Sequence, residues 1–183
     1  MKVLYEIIKT ELNEDLISFS ILSGGSINRV YKCSSEHRQF VIKLNDAREY
    51  PLMFEKEERG LALLNLSNFR IPTVLNKGTN QNIRYLMLEH IDDNGNTINE
   101  IELGTKLAEM HRITSDLFGL DHDNYIGAIP QINNRKADWS SFYQSMRLEP
   151  LVKKGFDLGC IETKTLRLFD KFYKELDNLI PVE

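Results

Sequence analysis

The alternation of apolar and polar positions predicts that the chain opens with a helix and continues as an antiparallel sheet. Apolar residues first recur at the spacing of one helical face: Leu4, Ile7, Ile8 and Leu12. Runs with strand character follow, separated by a glycine-rich turn and then by a polar turn: 17–22, 28–33 and 39–44. We predict an antiparallel meander of three strands.

A helix and two further strands extend this pattern over the first ninety or so residues. Pro51 is predicted to open the helix, which runs to about Leu66, because proline suits the first helical turn. One face of this helix carries an acid among apolar side chains: Phe54, Glu57, Leu61 and Leu64. The next two strands are predicted at 71–78 and 82–91.

The pattern becomes helical after the polar turn at residues 92–96. Thr97 and Glu100 fit a capping box that opens the first of these helices. The segment 118–134 is predicted to be loop-rich, and 138–155 to be a helix with an aromatic face. The last helix carries apolar residues at helical spacing: Leu166, Phe169, Phe172, Tyr173, Leu176 and Ile180. We therefore predict two lobes, residues 1–92 and residues 93–183.

Composition and charge narrow the class of protein. The 183 residues are 42% apolar and 27% charged, with 23 Lys and Arg against 27 Asp and Glu, which gives a formal net charge of −4. This balance excludes a disordered chain and argues against a nucleic-acid partner bound through bulk charge. No apolar run is long enough to span a bilayer, and the opening segment lacks a signal-peptide pattern, so we expect no membrane partner. Two cysteines, Cys33 and Cys160, indicate free thiols in a reducing cytoplasm.

Two features of the first lobe suggest a site for phosphate groups. The turn Gly24-Gly25-Ser26 would let the backbone approach a phosphate, although such a turn on its own more often just closes a hairpin. Lys43 shares a strand face with Val41. If that face is turned inward, the ammonium needs an anionic partner, because burying an unpaired charge is costly.

Glu57 of the following helix can supply that partner. A strand lysine paired with a helix glutamate beneath a glycine-rich turn is the arrangement with which protein kinases hold ATP phosphates. The alternative is a solvent-facing lysine beside a solvated run of acids: Glu55, Glu57 and Glu58.

The strand that ends the first lobe suits an inter-lobe hinge. Its last residues, Glu89, His90 and Ile91, would meet an adenine ring through backbone groups rather than through side chains. The order of glycine turn, lysine strand, glutamate helix and hinge strand favours a kinase-like first lobe.

Several segments also resemble the fructosamine kinase (ketosamine-3-kinase) family, which is related to the aminoglycoside and choline kinases. They are GGSIN from Gly24, FVIKLN around Lys43, MFEKEERGLALL around Glu57 and LMLEHI around Glu89. The second half carries a more distinctive block, FG…DN-x-IG-x-x-PQ-x-N…DW-x-x-F, within residues 118–142. The resemblance covers nearly the whole chain.

The resemblance implies a protein-kinase-like α+β fold, with an antiparallel-sheet N-lobe and the first helices of a mainly helical C-lobe. It implies ATP-dependent phosphorylation of the C3 hydroxyl of ketosamines, either small molecules or protein-bound. By the same resemblance, Lys43 would bind the ATP phosphates and Glu57 would orient it. The remaining nucleotide contacts implied are Gly24, Gly25, Ser26, Glu89, His90 and Ile91.

The chain departs from the family at the catalytic motif. The aspartate that accepts the hydroxyl proton and the Mg²⁺ ligands come from H-G-D-x-x-x-x-N and a later Asp, and neither is present. His111-Arg112-Ile113 has Ile where that Asp should be, and helical periodicity explains it. We therefore expect a kinase fragment that is inactive alone, with no catalytic residue of its own and with Mg²⁺ ligands beyond residue 183.

Other interpretations stay open at this point. One is another small-molecule kinase of the aminoglycoside or choline type, and one is a non-catalytic nucleotide-binding or interaction module. Asp92 to Asn96 hints at a calcium loop, and 121–123 hints at another metal site; we interpret them as a turn and a loop cap. The apolar faces of the last helices lead us to expect homodimerisation or poor solubility.

Overall fold

A computed structural model describes residues 2–23, 25, 27–92, 95 and 99–180. A five-stranded sheet is the centre of the first part of the chain. Its strands are β1 (Leu16–Ile21), β2 (Arg29–Ser35), β3 (Gln39–Asp46), β4 (Val74–Asn80) and β5 (Ile83–Glu89). They lie in the order β1-β2-β3-β5-β4, and every neighbouring pair is antiparallel. The predicted meander and the two later strands are confirmed.

Helix α1 (Lys2–Leu12) packs on one face of this sheet through the apolar stripe that its spacing predicts. The core between them consists of buried side chains: Leu4, Ile7, Ile8, Leu16, Cys33, Phe40, Ile42, Leu44, Tyr85 and Met87. Both cysteines are free, as predicted. Burial raises the pKa of the Cys33 thiol to about 12, so this group remains a protonated, apolar part of the core.

Helix α2 spans Met53–Leu64, two residues later than predicted for its start. Pro51 lies in a turn in which the backbone N–H of Met53 donates to the carbonyl oxygen of Tyr50 at 3.3 Å. Leu52 then adopts a left-handed backbone with φ of 58°, which no helical residue can have. Met53 and Phe54 are the buried residues of α2, and they anchor its first turn.

Helix α3 spans Glu100–His111. The predicted cap, Thr97, lies outside the described residues, and the side chain that caps the helix is Asn99, whose Oδ1 accepts from the backbone N–H of Glu102 at 3.2 Å. Helix α3 contacts the segment after α2, where Asn68 Nδ2 donates to Glu109 Oε2 at 2.7 Å.

The chain divides into two compact units, Met1–Ile113 and Thr114–Glu183. The first unit thus includes α3, which the predicted lobe boundary at residue 92 assigns to the second lobe. The lobes at 1–92 and 93–183 stay a prediction about function, whereas the observed division places α3 in the first unit.

The second unit is mainly helical, as predicted, but its loop-rich segment contains a hairpin. Strands β6 (Asn124–Ile126) and β7 (Ile129–Gln131) pair across a turn at Gly127, whose φ of 60° suits glycine. The helices that follow are α4 (Trp139–Tyr143), α5 (Glu149–Asp157) and α6 (Thr163–Leu179). One π-helical turn, Gln144–Leu148, joins α4 to α5. Among the described residues, no helix combines the length and apolar character needed to cross a membrane.

Candidate functional site

The strand lysine and the helix glutamate meet as predicted. Lys43 lies on the face of β3 opposite to Phe40 and Ile42, which are buried against α1. Its Nζ donates to Glu57 Oε1 of α2 at 2.6 Å. The two side chains are 22% and 25% exposed, so the pair is shielded and still reachable from solvent. Such a charge-assisted hydrogen bond fixes the position and orientation of the Lys43 ammonium group.

The other two acids of α2 are also paired with cations of the same sheet. Glu55 accepts from Arg84 Nη1 of β5 through both carboxylate oxygens, at 2.6 and 2.7 Å. Glu58 accepts from Lys77 Nζ of β4. The interpretation of these acids as a solvated charge run is therefore wrong, and α2 is fastened to the sheet by three ion pairs.

The glycine turn is closed by the backbone N–H of Leu22, which donates to the carbonyl oxygen of Val30 at 2.9 Å. Gly24 and Ser26 lie outside the described residues. A Cβ on Gly25 would lie 3.1 Å from the backbone oxygen of Asn28, so a larger residue there would push against the chain. Gly25 is exposed, as a residue that approaches a ligand with its backbone must be.

The predicted hinge lies at the far end of β5. In the β3–β5 ladder Glu89 is the cross-strand partner of Phe40, which precedes Lys43 by three residues on β3. The side chain of Glu89 therefore lies on the sheet face of Phe40, opposite to the face of Lys43. Its carboxylate accepts from Thr73 Oγ1 at 3.1 Å and from Arg70. These bonds, with those from Thr73 first, hold the pKa of Glu89 below its ordinary value.

The two residues after β5 differ in burial, since the side chain of His90 is 13% exposed. His90 Nδ1 lies 3.1 Å from Asp92 Oδ1, and Ile91 is 40% exposed. The structure thus brings Lys43 and Glu57 into contact, but not Glu89, His90 or Ile91. Any contribution of these three to the same site has to come through backbone groups, as predicted from the sequence.

The distinctive block of the second unit forms a packed structure of its own. Gly119 has a φ of 106°, and a Cβ there would lie 2.7 Å from the ring of Phe142, so only glycine fits. The Arg147 guanidinium lies 4.5 Å from the centre of that ring, donates to the Ile132 carbonyl at 2.9 Å and also bonds the buried amide of Asn133. Burial lowers the pKa of Arg147 below its ordinary value.

No group of three His, Cys, Asp or Glu side chains within the described part of the chain could hold a metal ion. The loop at 121–123 makes hydrogen bonds within itself and to Asn133, while His122 Nε2 is buried without a partner among the described residues. His122 Nδ1 lies 2.5 Å from Asp121 Oδ1, and Asp123 Oδ1 accepts from the backbone of Asn133 at 2.9 Å. His111 is the last residue of α3, where helical periodicity places it.

Sequence reasoning missed Asn45, which lies two residues beyond Lys43 on β3. Its Nδ2 donates to Asn28 Oδ1 of the glycine turn at 3.2 Å. A signal for it was present, because positions 41, 43 and 45 alternate onto one strand face. The ion pairs of Arg84 and Lys77 depend on strand register, for which the sequence carries no comparably direct signal.

Comparison with known proteins adds the context of a family. The family model described as fructosamine kinase matches residues 3–182. The protein-ribulosamine 3-kinase of Arabidopsis thaliana, described as chloroplastic, is 34% identical over 165 residues, covering 88% of this chain and 49% of that protein. A candidate ketoamine kinase of Lactiplantibacillus plantarum is 33% identical over 138 residues, covering 75% of this chain and 48% of that protein.

Comparison with solved structures also finds a fructosamine kinase fold. A candidate fructosamine-3-kinase from Thermobifida fusca superposes with a TM-score of 0.83 at 24% identity, covering 100% of this chain and 64% of that one. The fold is protein-kinase-like and α+β, as predicted. The chain spans about half the length of the curated relatives it matches.

Proposed function

Because the chain belongs to the fructosamine kinase family, we propose that it carries the nucleotide-binding part of an ATP-dependent kinase. The activity proposed for the complete protein is phosphorylation of the C3 hydroxyl of ketosamines. The single observation that carries the nucleotide role is the 2.6 Å bond between Lys43 and Glu57, on the strand and helix that follow the glycine turn. An ammonium held in this way is suited to phosphate oxygens.

The proposed nucleotide contacts fall into two groups, one for the phosphates and one for the adenine ring. Lys43 would bind the phosphates, and Glu57 would orient Lys43. The backbone of Gly24, Gly25 and Ser26 would cover the phosphates, since a glycine turn can direct N–H groups at an anion. The backbone from Glu89 through His90 to Ile91 would receive the adenine ring. Bound ATP would supply the phosphoryl group that the proposed reaction transfers.

Mg²⁺ in a kinase site is held by one or two protein carboxylates together with the phosphates, and among the described residues no group of three His, Cys, Asp or Glu side chains could hold a metal ion by itself. The 183 residues also contain no H-G-D-x-x-x-x-N motif from which a proton-accepting aspartate would come. We therefore expect this chain alone to bind nucleotide without transferring phosphate. Mg²⁺ ligands and the catalytic aspartate are expected from residues outside this chain.

The proposed substrates are small-molecule or protein-bound ketosamines, since the relatives that match are described as ribulosamine and ketoamine kinases. A cytoplasmic location agrees with the free thiols of Cys33 and Cys160. Homodimerisation remains a prediction, which the sequence bases on Phe169, Phe172 and Leu176 of α6. Phe172 is 38% exposed, whereas Leu176 is buried and therefore gives the prediction no support.

Calorimetric titration of the chain with a non-hydrolysable ATP analogue tests the nucleotide role. We expect saturable binding that ADP competes for and that adenosine competes for more weakly, because the phosphates supply the contacts to Lys43. Absence of binding by a folded chain would overturn the proposal for these residues.

A chimera tests whether the proposed nucleotide site serves the ketosamine reaction. The remaining half of the Arabidopsis relative is joined after residue 183, and circular dichroism is used to confirm that the chimera folds. With ATP and Mg²⁺ we expect phosphate transfer to ribulosamine or fructosamine, and strongly reduced transfer when the chimera carries Lys43→Met. Equal transfer by the two folded chimeras would contradict the role of this nucleotide site in the reaction.

A further inference from the structure

The side-chain amide of Asn45 lies between the glycine turn and helix α2. Asn45 is 4% exposed, although asparagine is seldom so deeply buried. Its Nδ2 donates to Asn28 Oδ1 at 3.2 Å and lies 3.5 Å from the sulfur of Met53, the first residue of α2. One amide group therefore touches both elements that flank Lys43.

The Asn28 end of this contact supports the turn itself. The backbone oxygen of Asn28 is the atom that a Cβ on Gly25 would meet at 3.1 Å. A shift of Asn28 would therefore move the backbone oxygen that lies next to Gly25. Arg29, the next residue, is paired with Leu44 in the β2–β3 ladder, so Asn28 is the last residue of the turn before the sheet begins.

The Asn45 end supports the lysine and its helix. Asn45 shares a strand face with Lys43 and is the cross-strand partner of Arg84. Arg84 in turn binds both carboxylate oxygens of Glu55 in α2. The glycine turn, the Lys43 strand and the Glu57 helix are therefore linked by a second set of contacts, independent of the Lys43–Glu57 pair.

Stability alone does not explain an asparagine here. Within the described part of the chain, Asn45 Oδ1 and Arg84 Nε have no hydrogen-bond partner, and both atoms are buried. Burial of an unpaired acceptor is unfavourable, and an apolar side chain of similar size would avoid it. The bond from Nδ2 to Asn28 is what such a replacement would remove.

We propose that Asn45 is a positioning residue that holds the glycine turn, through Asn28, at the correct place relative to Lys43. This inference rests on the proposed nucleotide site and extends it to residues that touch no nucleotide. Without the amide the turn is free to move away from the strand, and the phosphates lose the backbone that covers them.

The test compares three variants of the full chain, read out by calorimetric affinity for a non-hydrolysable ATP analogue and by melting temperature. Asn45→Leu removes the amide and keeps its size, and Asn28→Ala removes its acceptor. The matched control is Asn76→Leu on β4, since Asn76 is the cross-strand partner of Met87 on the α1 face and bonds Glu11 there.

We expect Asn45→Leu to melt no lower than the wild type and yet to bind the analogue about five- to tenfold more weakly, the effect of one lost hydrogen bond. Asn28→Ala should lose a similar factor, and the double variant no more than either, because both break one bond. Asn76→Leu should bind the analogue like the wild type. Equal analogue affinities of Asn45→Leu and wild type would overturn the proposal.

Amide hydrogen exchange separates this inference from the proposed function. The Leu22 amide, which closes the turn at 2.9 Å, should exchange faster in Asn45→Leu, whereas the Ala47 amide, bonded to Asn82 at 2.9 Å, should not change. If the wild type binds no analogue, the proposed function fails, and the exchange rate of the Leu22 amide alone tests the positioning role of Asn45. Faster exchange in Asn45→Leu supports that role, and unchanged exchange overturns it.

Discussion

Lys43 Nζ lies 2.6 Å from Glu57 Oε1, and the two residues come from a strand and a helix that are joined by a turn. An exposed pair of this kind would contribute little, because water screens it and both side chains lose freedom. Here each side chain is about three-quarters buried, at 22% and 25% exposure, which makes the geometry well defined. An ammonium has three donors, so the bond to Glu57 leaves capacity for phosphate oxygens.

Gly78→Ala is expected to destabilise the first unit. A Cβ on Gly78 would lie 2.7 Å from Cζ of Tyr85, its cross-strand partner, and Tyr85 is held in place by a 2.5 Å bond from its hydroxyl to Glu11. Because the ring cannot move freely, we expect a loss of about 1–3 kcal/mol in the free energy of unfolding. Urea denaturation followed by circular dichroism measures it.

The control for this prediction is Gly60→Ala in helix α2, where a Cβ meets nothing within 4 Å. Alanine there should stabilise the chain by about 0.5–1 kcal/mol, since it lowers the entropy cost of the helix. Similar denaturation midpoints for the two variants would show that the ring of Tyr85 does not confine Gly78.

The contrast between Lys43 and Asn45 shows what the sequence reveals about the site. Strand and helix periodicities put Lys43 and Glu57 on faces that can meet, and their opposite charges make the pair predictable. Asn45 shares the strand face of Lys43, but an amide carries no charge to indicate a partner. Its bond to Asn28 depends on how the turn folds back, which is a tertiary contact.

For the fold, too, some features follow from the sequence pattern and others depend on backbone conformation or tertiary contacts. The five strands and the first helix follow from their periodicities, whereas the start of α2 depends on the left-handed backbone of Leu52, which its residue type disfavours. The hairpin of β6 and β7 has three residues a strand, too few for alternation to stand out. The division at residue 113 places α3 in the first unit, which no local pattern predicts.

Glu14 should make the chain sensitive to acid. Its carboxylate, on a residue 8% exposed, accepts from the hydroxyl of Ser35 and from Arg38 at 2.7 Å. These contacts, the Ser35 bond above all, hold the pKa of Glu14 below its ordinary value. A lowered folded-state pKa contributes stability that is complete above the unfolded pKa, about 4.3, and is lost as the pH falls through the folded pKa.

Melting temperatures measured from neutral pH down to about pH 3 check this prediction. Glu14→Gln should melt lower than the wild type at neutral pH and should lose less on acidification, so that the two curves converge. Glu36→Gln, which alters an exposed acid of the neighbouring turn, should follow the wild type. Parallel curves for Glu14→Gln and wild type would contradict the assignment.

Arg147→Gln should destabilise the second unit. The substitution removes the donor to Ile132 and leaves the Asn133 amide, on a residue 5% exposed, without its Arg147 partner. A buried polar group that loses its partner costs about 1–3 kcal/mol. The urea midpoint should fall for Arg147→Gln and stay near the wild-type value for Arg135→Gln, which alters an exposed arginine. Equal midpoints would show that Arg147 does not hold this unit together.

The most direct test of the nucleotide role compares two lysines that each pair with a glutamate of α2. Lys43 pairs with Glu57, and Lys77 pairs with Glu58. Wild type, Lys43→Met and Lys77→Met are titrated with a non-hydrolysable ATP analogue by calorimetry. We predict that Lys43→Met binds about tenfold or more weakly, as expected for a lost charge-assisted bond, and that Lys77→Met binds like the wild type. Equal affinity of Lys43→Met and the wild type would contradict the claim that Lys43 holds the phosphates.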